Sequence, residues 1–317
     1  MKKLFIFFAA AAGLAGCNRS PEFYYARANS LQASGKDYEA LSNYDKALLL
    51  KHNFPEALAA RGMLYERQGD SQKAALDYRK AIDLAPAYLP AYNDLGALLM
   101  DGGNYREAEK LFSTALESNS GYPYALLNRG LSRYKLGDCA GATEDLSRAI
   151  NLNNKFELAY YHRALCARNA KNLPAELSDL DAVLALNPAA ALARFERGKA
   201  LFNMADYAGA AQEFDKAAKL RPSDAVNLYW QGIASLRSGN AQGALEAAAA
   251  AAVLTPGSHQ VEGLMADSYA ALGDKTAAAG HYRKAAALSP KYAAGYNARL
   301  AALEKPAPAK AGVKKRR

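Results

Sequence analysis

Two kinds of apolar position, one small and one bulky, recur along this chain every 34 residues. The first small position reads Ala28, Gly62, Gly96, Gly130, Ala164, Gly198, Gly232 and Ala266. A second reads Ala40, Ala74, Ala108, Ala142, Glu176, Ala210, Ala244 and Ala278, and a third Ala47, Ala81, Ala115, Ala149, Val183, Ala217, Ala251 and Ala285. Between them stand Tyr44, Tyr78, Phe112, Leu146, Leu180, Phe214, Ala248 and Tyr282. Small residues held at a fixed spacing mark places where paired elements approach too closely for a larger side chain. The sequence is rich in alanine and lacks strand-like alternation. It therefore predicts an all-α array over residues 21–292, with its core distributed along the repeats.

Within one unit, Pro55 to Tyr88, the residues Gly62, Tyr65, Ala74, Tyr78, Ala81 and Pro86 resemble the tetratricopeptide-repeat pattern. The resemblance implies two antiparallel helices per unit, each unit needing its neighbours to bury its apolar face. It implies a right-handed superhelical solenoid of eight helix-turn-helix repeats: 21–54, 55–88, 89–122, 123–156, 157–190, 191–224, 225–258 and 259–292. Residues 293–304 follow as a capping helix. Pro86, Pro188, Pro222, Pro256 and Pro290 end second helices, which proline cannot continue. Asp70, Asn104, Asp138, Asn172, Asp206, Asn240 and Asp274 share the position before each second helix, where their side chains can accept from first-turn amides. Arg61, Arg129, Arg163 and Arg197 each have an acid sixteen residues on, at Asp77, Asp145, Asp179 and Glu213; Arg27 has Asn43 instead, and repeats without the Arg lack the acid, so each Arg–acid pair is expected to meet across its two helices. Repeat five departs most, because Glu176 and Val183 replace alanines. A carboxylate at a close helix contact predicts a shifted second helix between Asn172 and Asn187, or an ion pair for Glu176.

The start of the chain reads differently. Lys2 and Lys3 precede an apolar run, Leu4 to Ala12, too short for a stable bilayer span. Leu14-Ala15-Gly16-Cys17 is similar to the lipobox of bacterial lipoproteins. That resemblance implies a signal peptide over 1–16, lipidation of Cys17, and a short tether over 17–20. Asn18, where an inner-membrane retention signal usually has Asp, leans towards an outer-membrane anchor facing the periplasm. The alternative is ordinary signal cleavage near Ala12 with Cys17 incidental.

Charge and cysteines refine this picture. Of the formal net charge of +9, Lys2 and Lys3 belong to the leader, and Lys305, Lys310, Lys314, Lys315, Arg316 and Arg317 to a tail over 305–317. The repeat array is then nearly neutral and unlike a nucleic-acid surface. The tail has a disordered composition. It is either a solvated end or a contact to anionic polymer or membrane, the latter making the protein a structural component of the cell envelope. Cys139 and Cys166, in adjacent repeats, are either a disulfide or two buried thiols.

No catalytic constellation, cofactor motif or metal-ligand spacing is found. His52, His162, His259 and His281 lie apart, and the glycines belong to the repeat pattern. The tetratricopeptide resemblance implies instead a concave groove lined by first helices, which takes a protein or peptide segment rather than a small molecule. The groove residues expected here are Tyr124, Leu127, Leu131, Tyr134 and Lys135, then Tyr161, Leu165 and Arg168, then Phe195, Lys199 and Phe202, and last Tyr229, Ile233 and Arg237. Hydrophobic anchors would hold the segment, and Lys135, Arg168, Lys199 and Arg237 would select acidic flanks. A tightly wound superhelix that buries these residues against one another is the competing reading.

Overall fold

The structure, a computed structural model, describes residues 19–304. The leader, Cys17 and the basic tail lie outside the described residues. Among the described residues there are seventeen helices and no strand, and no helix is long and apolar enough to cross a membrane. The chain divides after Asp138 into two compact units.

The first unit holds α1 (Pro21–Ala33), α2 (Asp37–Leu50), α3 (Pro55–Arg67), α4 (Ser71–Leu84), α5 (Leu89–Asp101), α6 (Tyr105–Ser118) and α7 (Pro123–Lys135). The second holds α8 (Cys139–Leu152), α9 (Glu157–Asn169), α10 (Leu173–Leu186), α11 (Ala191–Asn203), α12 (Tyr207–Leu220), α13 (Ala225–Arg237), α14 (Ala241–Leu254), α15 (His259–Leu272), α16 (Lys275–Leu288) and α17 (Ala293–Glu304). First helices begin at residues 21, 55, 89, 123, 157, 191, 225 and 259, and α17 begins one period later at 293.

The recurring small residues have a specific neighbour. A Cβ built on Gly62 would lie 2.6 Å from the Tyr78 ring, one on Gly96 2.4 Å from Phe112, and one on Gly198 2.7 Å from Phe214. The bulky side chain of the second helix thus lies flat against the backbone of the first, and glycine makes room for the ring. Where Ala248 supplies no ring, Leu264 of α15 fills the space over Gly232 instead. Tyr44, Tyr78, Phe112 and Phe214 are fully buried, so each helix pair carries its own core element.

Helix ends follow a second rule. Asp70, Asn172, Asp206, Asn240 and Asp274 each accept from the amide three residues on, capping the helix that follows. Asn104 makes no such bond. One residue before these caps the backbone turns left-handed, with φ of 80° at Gly69, 77° at Gly103, 88° at Gly239 and 88° at Gly273. Lys171 and Ala205 occupy the same place with φ of 57° and 63°, a conformation that costs a side chain with a Cβ about 1 kcal/mol or more.

The expected ion pairs bind the helices together. Arg61 donates through Nε and Nη2 to both oxygens of Asp77, at 2.8 Å each, and Arg163 does the same to Asp179 at 2.9 and 2.6 Å. Arg197 reaches Glu213 at 3.3 Å. Arg129 and Asp145 belong to different units. Each arginine also reaches back to the preceding second helix: Arg61 to Asp45 at 2.7 Å, Arg129 to Ser113 at 3.2 Å, Arg163 to Ser147 at 2.9 Å and Arg197 to Asp181 at 2.7 Å. The acid side is buried, with Asp77 and Asp179 at 6 % exposure and Glu213 at 4 %. The guanidinium is therefore what makes burial of each carboxylate tolerable.

The expectation for repeat five fails. α10 is a regular 14-residue helix, started by the Asn172 cap like its counterparts. Glu176 within it is 1 % exposed, and neither carboxyl oxygen has a hydrogen-bond partner. Leu180, one turn on along the same helix, stands where Tyr78 and Phe214 stand in other repeats.

At the end of the chain, α17 lies on α16. Its Tyr296, Leu300 and Leu303 pack on the buried Ala266, Ala278 and Tyr282.

Candidate functional site

The face formed by first helices in the second unit presents apolar side chains in step. Leu158, Leu192 and Val226 are each the second residue of their helix, and they are 53, 50 and 52 % exposed. None belongs to a buried core, yet all three are large and apolar, and they repeat along one line. Beside the first two lies a cavity of about 630 Å³ bordered by Leu158, Tyr161, His162, Leu192, Leu220 and Arg221. Further along, Tyr229, Ile233, Leu236 and Arg237 border a smaller cavity of about 240 Å³ with Asp267 and Arg299. Burial pushes the Tyr229 hydroxyl pKa up, so it stays a neutral donor there.

The groove residues expected from sequence divide by burial. Tyr124 is half exposed and Lys135 exposed, while Tyr134, Tyr161, Tyr229 and Ile233 are half-buried. Leu127, Leu131 and Leu165 are buried, at 8, 9 and 6 %, and offer a floor rather than anchors. Phe195 and Phe202 are corrected more strongly. Phe195 packs 5.5 Å from Phe214, and Phe202 lies 5.7 Å from Trp230 and 5.0 Å from Tyr207. Both rings belong to the aromatic packing around Phe214, so truncating them would damage the fold as well as the face.

The cations are also less free than the sequence suggests. Arg168 and Lys199 both donate to one oxygen, Oε2 of Glu196 on α11, Lys199 at 2.9 Å. Glu196 lies outside the repeat positions expected to line the groove. Its only sequence signal is its place three residues before Lys199 on the same helix. Arg237 is exposed at the edge of the smaller cavity. Cys139 and Cys166 form no disulfide and border a third cavity of about 640 Å³ between α8, α9 and α10.

In the first unit the first-helix face is mixed: α3 and α5 carry Glu56, Glu66 and Asp94, while α7 presents the half-exposed Tyr124. Glu66 accepts from the buried Tyr78 hydroxyl at 2.8 Å. Asp94 is held by Asn93 at 3.3 Å, and burial together with the nearby Glu66 raises its carboxyl pKa. Tyr88 is pushed up to about 12, first by burial and then by Tyr25, Glu56 and Asp94. No grouping of metal ligands exists among the described residues. The arrangement offers a binding face.

Comparison with known proteins agrees with the fold. A model described as tetratricopeptide repeat matches residues 55–88, and a second of the same description matches 93–154, 127–191, 177–225 and 195–259. No curated protein matches the sequence. Among solved structures, Pseudomonas aeruginosa pilF is 20 % identical, with a TM-score of 0.57 over 66 % of this chain and 95 % of that one. YrrB, described as a tetratricopeptide-repeat protein with an unusual peptide-binding site, is 24 % identical, with a TM-score of 0.51 over 59 % of this chain and 96 % of its own. A tetratricopeptide-repeat protein from Parabacteroides merdae is 19 % identical, with a TM-score of 0.52 over 79 and 99 %. At these identities the likeness is one of fold.

Proposed function

We propose, from the premise that this chain belongs to the tetratricopeptide-repeat family, that it is an adaptor holding a segment of a partner protein along the first-helix face of its second unit. The family fold is that of a protein-interaction scaffold, and its members are generally non-catalytic. The observation that carries the reading is the row Leu158, Leu192 and Val226, half exposed and spaced one repeat apart, with a cavity of about 630 Å³ beside the first two. Apolar rows exposed in register mark interaction surfaces, because water would otherwise cover them at a cost. An extended or helical segment laid across three first helices would bury them.

The leader extends the proposal to place. Leu14 to Cys17 supports lipidation of Cys17 and anchorage in a bacterial cell envelope, at the outer membrane facing the periplasm. The adaptor would then keep its partner near the bilayer, in cell-wall enzyme recruitment, envelope assembly or pilus assembly. Replacing Cys17 with Ser should release the protein from membranes; continued lipid labelling of that variant would overturn the anchor.

The capture claim is tested with the double variant Leu158→Ala/Leu192→Ala. Each truncation removes about 1.5 kcal/mol of apolar burial. If the losses add, partner recovery from envelope extracts should fall by about a hundredfold. The melting temperature should hold, since both side chains already face solvent. Undiminished recovery would move the site off this face.

A further inference from the structure

Between α9, α10 and α11 sits a carboxyl group that nothing satisfies. Glu176 is 1 % exposed and both of its oxygens lack partners. The charges acting on it come from both helices packed against α10: Arg168 from α9, and Glu196 and Lys199 from α11. Two other acids of this helix are already paired, Asp179 with Arg163 in a bidentate contact and Asp181 with Arg197. Burial raises the Glu176 pKa, Glu196 raises it further, and the two cations only partly oppose them.

The surface above this carboxyl is short of negative charge. Arg168 and Lys199 converge on the single oxygen Oε2 of Glu196. One carboxylate therefore answers two cations. While Glu176 keeps its proton the group of four carries one net positive charge, and when it ionises the group is neutral. A guanidinium has five N–H donors and an ammonium three, so both retain donors beyond those spent on Glu196.

We infer that Arg168 and Lys199 form a seat for an acidic side chain of the captured segment, and that a proton on the buried Glu176 keeps the seat open. This rests on the capture reading above and names the partner's chemistry: an apolar core with a Glu or Asp flank. When Glu176 loses its proton it competes for the same two cations from below. By linkage, seating a partner carboxylate raises the proton affinity of Glu176 by the factor that the proton raises partner affinity.

The test uses the full chain and immobilised synthetic peptides that share a Leu/Val core and carry Glu, Gln or Lys flanks. At pH 5 the wild type should retain the Glu-flanked peptide over the Gln-flanked one by about tenfold, the equivalent of one pKa unit of coupling. At pH 8 that preference should shrink severalfold, while Glu176→Gln, permanently neutral, should keep it at both pH values. Arg168→Gln/Lys199→Gln should lose the preference and still hold the core. Melting curves show that each variant is folded. Core capture without flank preference, or a preference that neither pH nor Glu176→Gln changes, sinks the seat alone. If no peptide of the panel is held, the capture reading fails and the seat falls with it.

Discussion

The two units are built to the same rule and face outward differently. In both, a glycine lies under a buried ring, Gly62 under Tyr78 and Gly96 under Phe112 in the first, Gly198 under Phe214 in the second. In both, an arginine clasps a buried acid, Arg61 with Asp77 and Arg163 with Asp179. Yet the first unit turns Glu56, Glu66 and Asp94 to its first-helix face, and the second turns Leu158, Leu192 and Val226. The packing positions are constrained by contact with a facing helix, and the outward positions are constrained less, though Glu66 still accepts from Tyr78 of its own repeat. Fold and binding character are therefore written in separate residues, and one can vary without the other.

The largest expected effect breaks the shared half of this comparison. Gly62→Val and Gly198→Val drive a branched side chain into Tyr78 and Phe214, where even a Cβ would stand 2.6 and 2.7 Å from the ring. Each should cost about 3 kcal/mol, read by denaturant unfolding of the full chain. The two costs should be alike. A large gap between them would mean that the units do not share one packing rule.

A smaller effect separates two buried acids. Glu176 and Asp94 both have carboxyl pKa values raised chiefly by burial. A carboxyl raised in the folded state contributes most below its unfolded value, and that contribution drains away as pH climbs through the folded value. Glu176→Gln should therefore stabilise the protein at pH 8 by about 1–3 kcal/mol and change little at pH 4. Asp94→Asn should show the same sign and a smaller gain, since Asn93 already donates to Asp94. Melting curves of both variants across this range are decisive, and a gain that is larger at pH 4 would reverse the assignment.

The smallest concerns backbone alone. Ala205 and Lys171 sit in left-handed turns that glycine fills at Gly69 and Gly103 in the first unit. Ala205→Gly should gain about 1 kcal/mol and Gly103→Ala lose about as much, in thermal melts.

What the sequence reveals follows from these contacts. The small and bulky positions are legible because they touch within one helix pair, so each leaves a trace at a fixed spacing. The arginine–acid pairs are legible because a buried carboxylate without its cation would be too costly, so the acid is missing wherever the Arg is missing, while Arg27 stands opposite Asn43 without one. Glu196 is not legible, since its carboxylate meets Arg168 from the next repeat and no spacing within one unit announces it. Phe195 and Phe202 read as anchors because their repeat positions face outward; Trp230 and Phe214 draw them into the core. Glu176 misleads for a different reason. A position that is elsewhere alanine holds a buried carboxyl in a helix that stays regular, which the alanines of the other repeats do not announce.

The central claim is that capture belongs to the second unit's apolar row and not to the face of α3 in the first unit. It is measured most directly by the affinity of one recovered partner for Leu158→Ala/Leu192→Ala beside Met63→Ala, whose side chain is likewise exposed, at 41 %, on α3 of the first unit. The account predicts about a hundredfold loss for the double variant, as two apolar anchors require, and less than twofold for Met63→Ala, with both proteins melting like the wild type. Equal losses, or loss only with Met63→Ala, would contradict it.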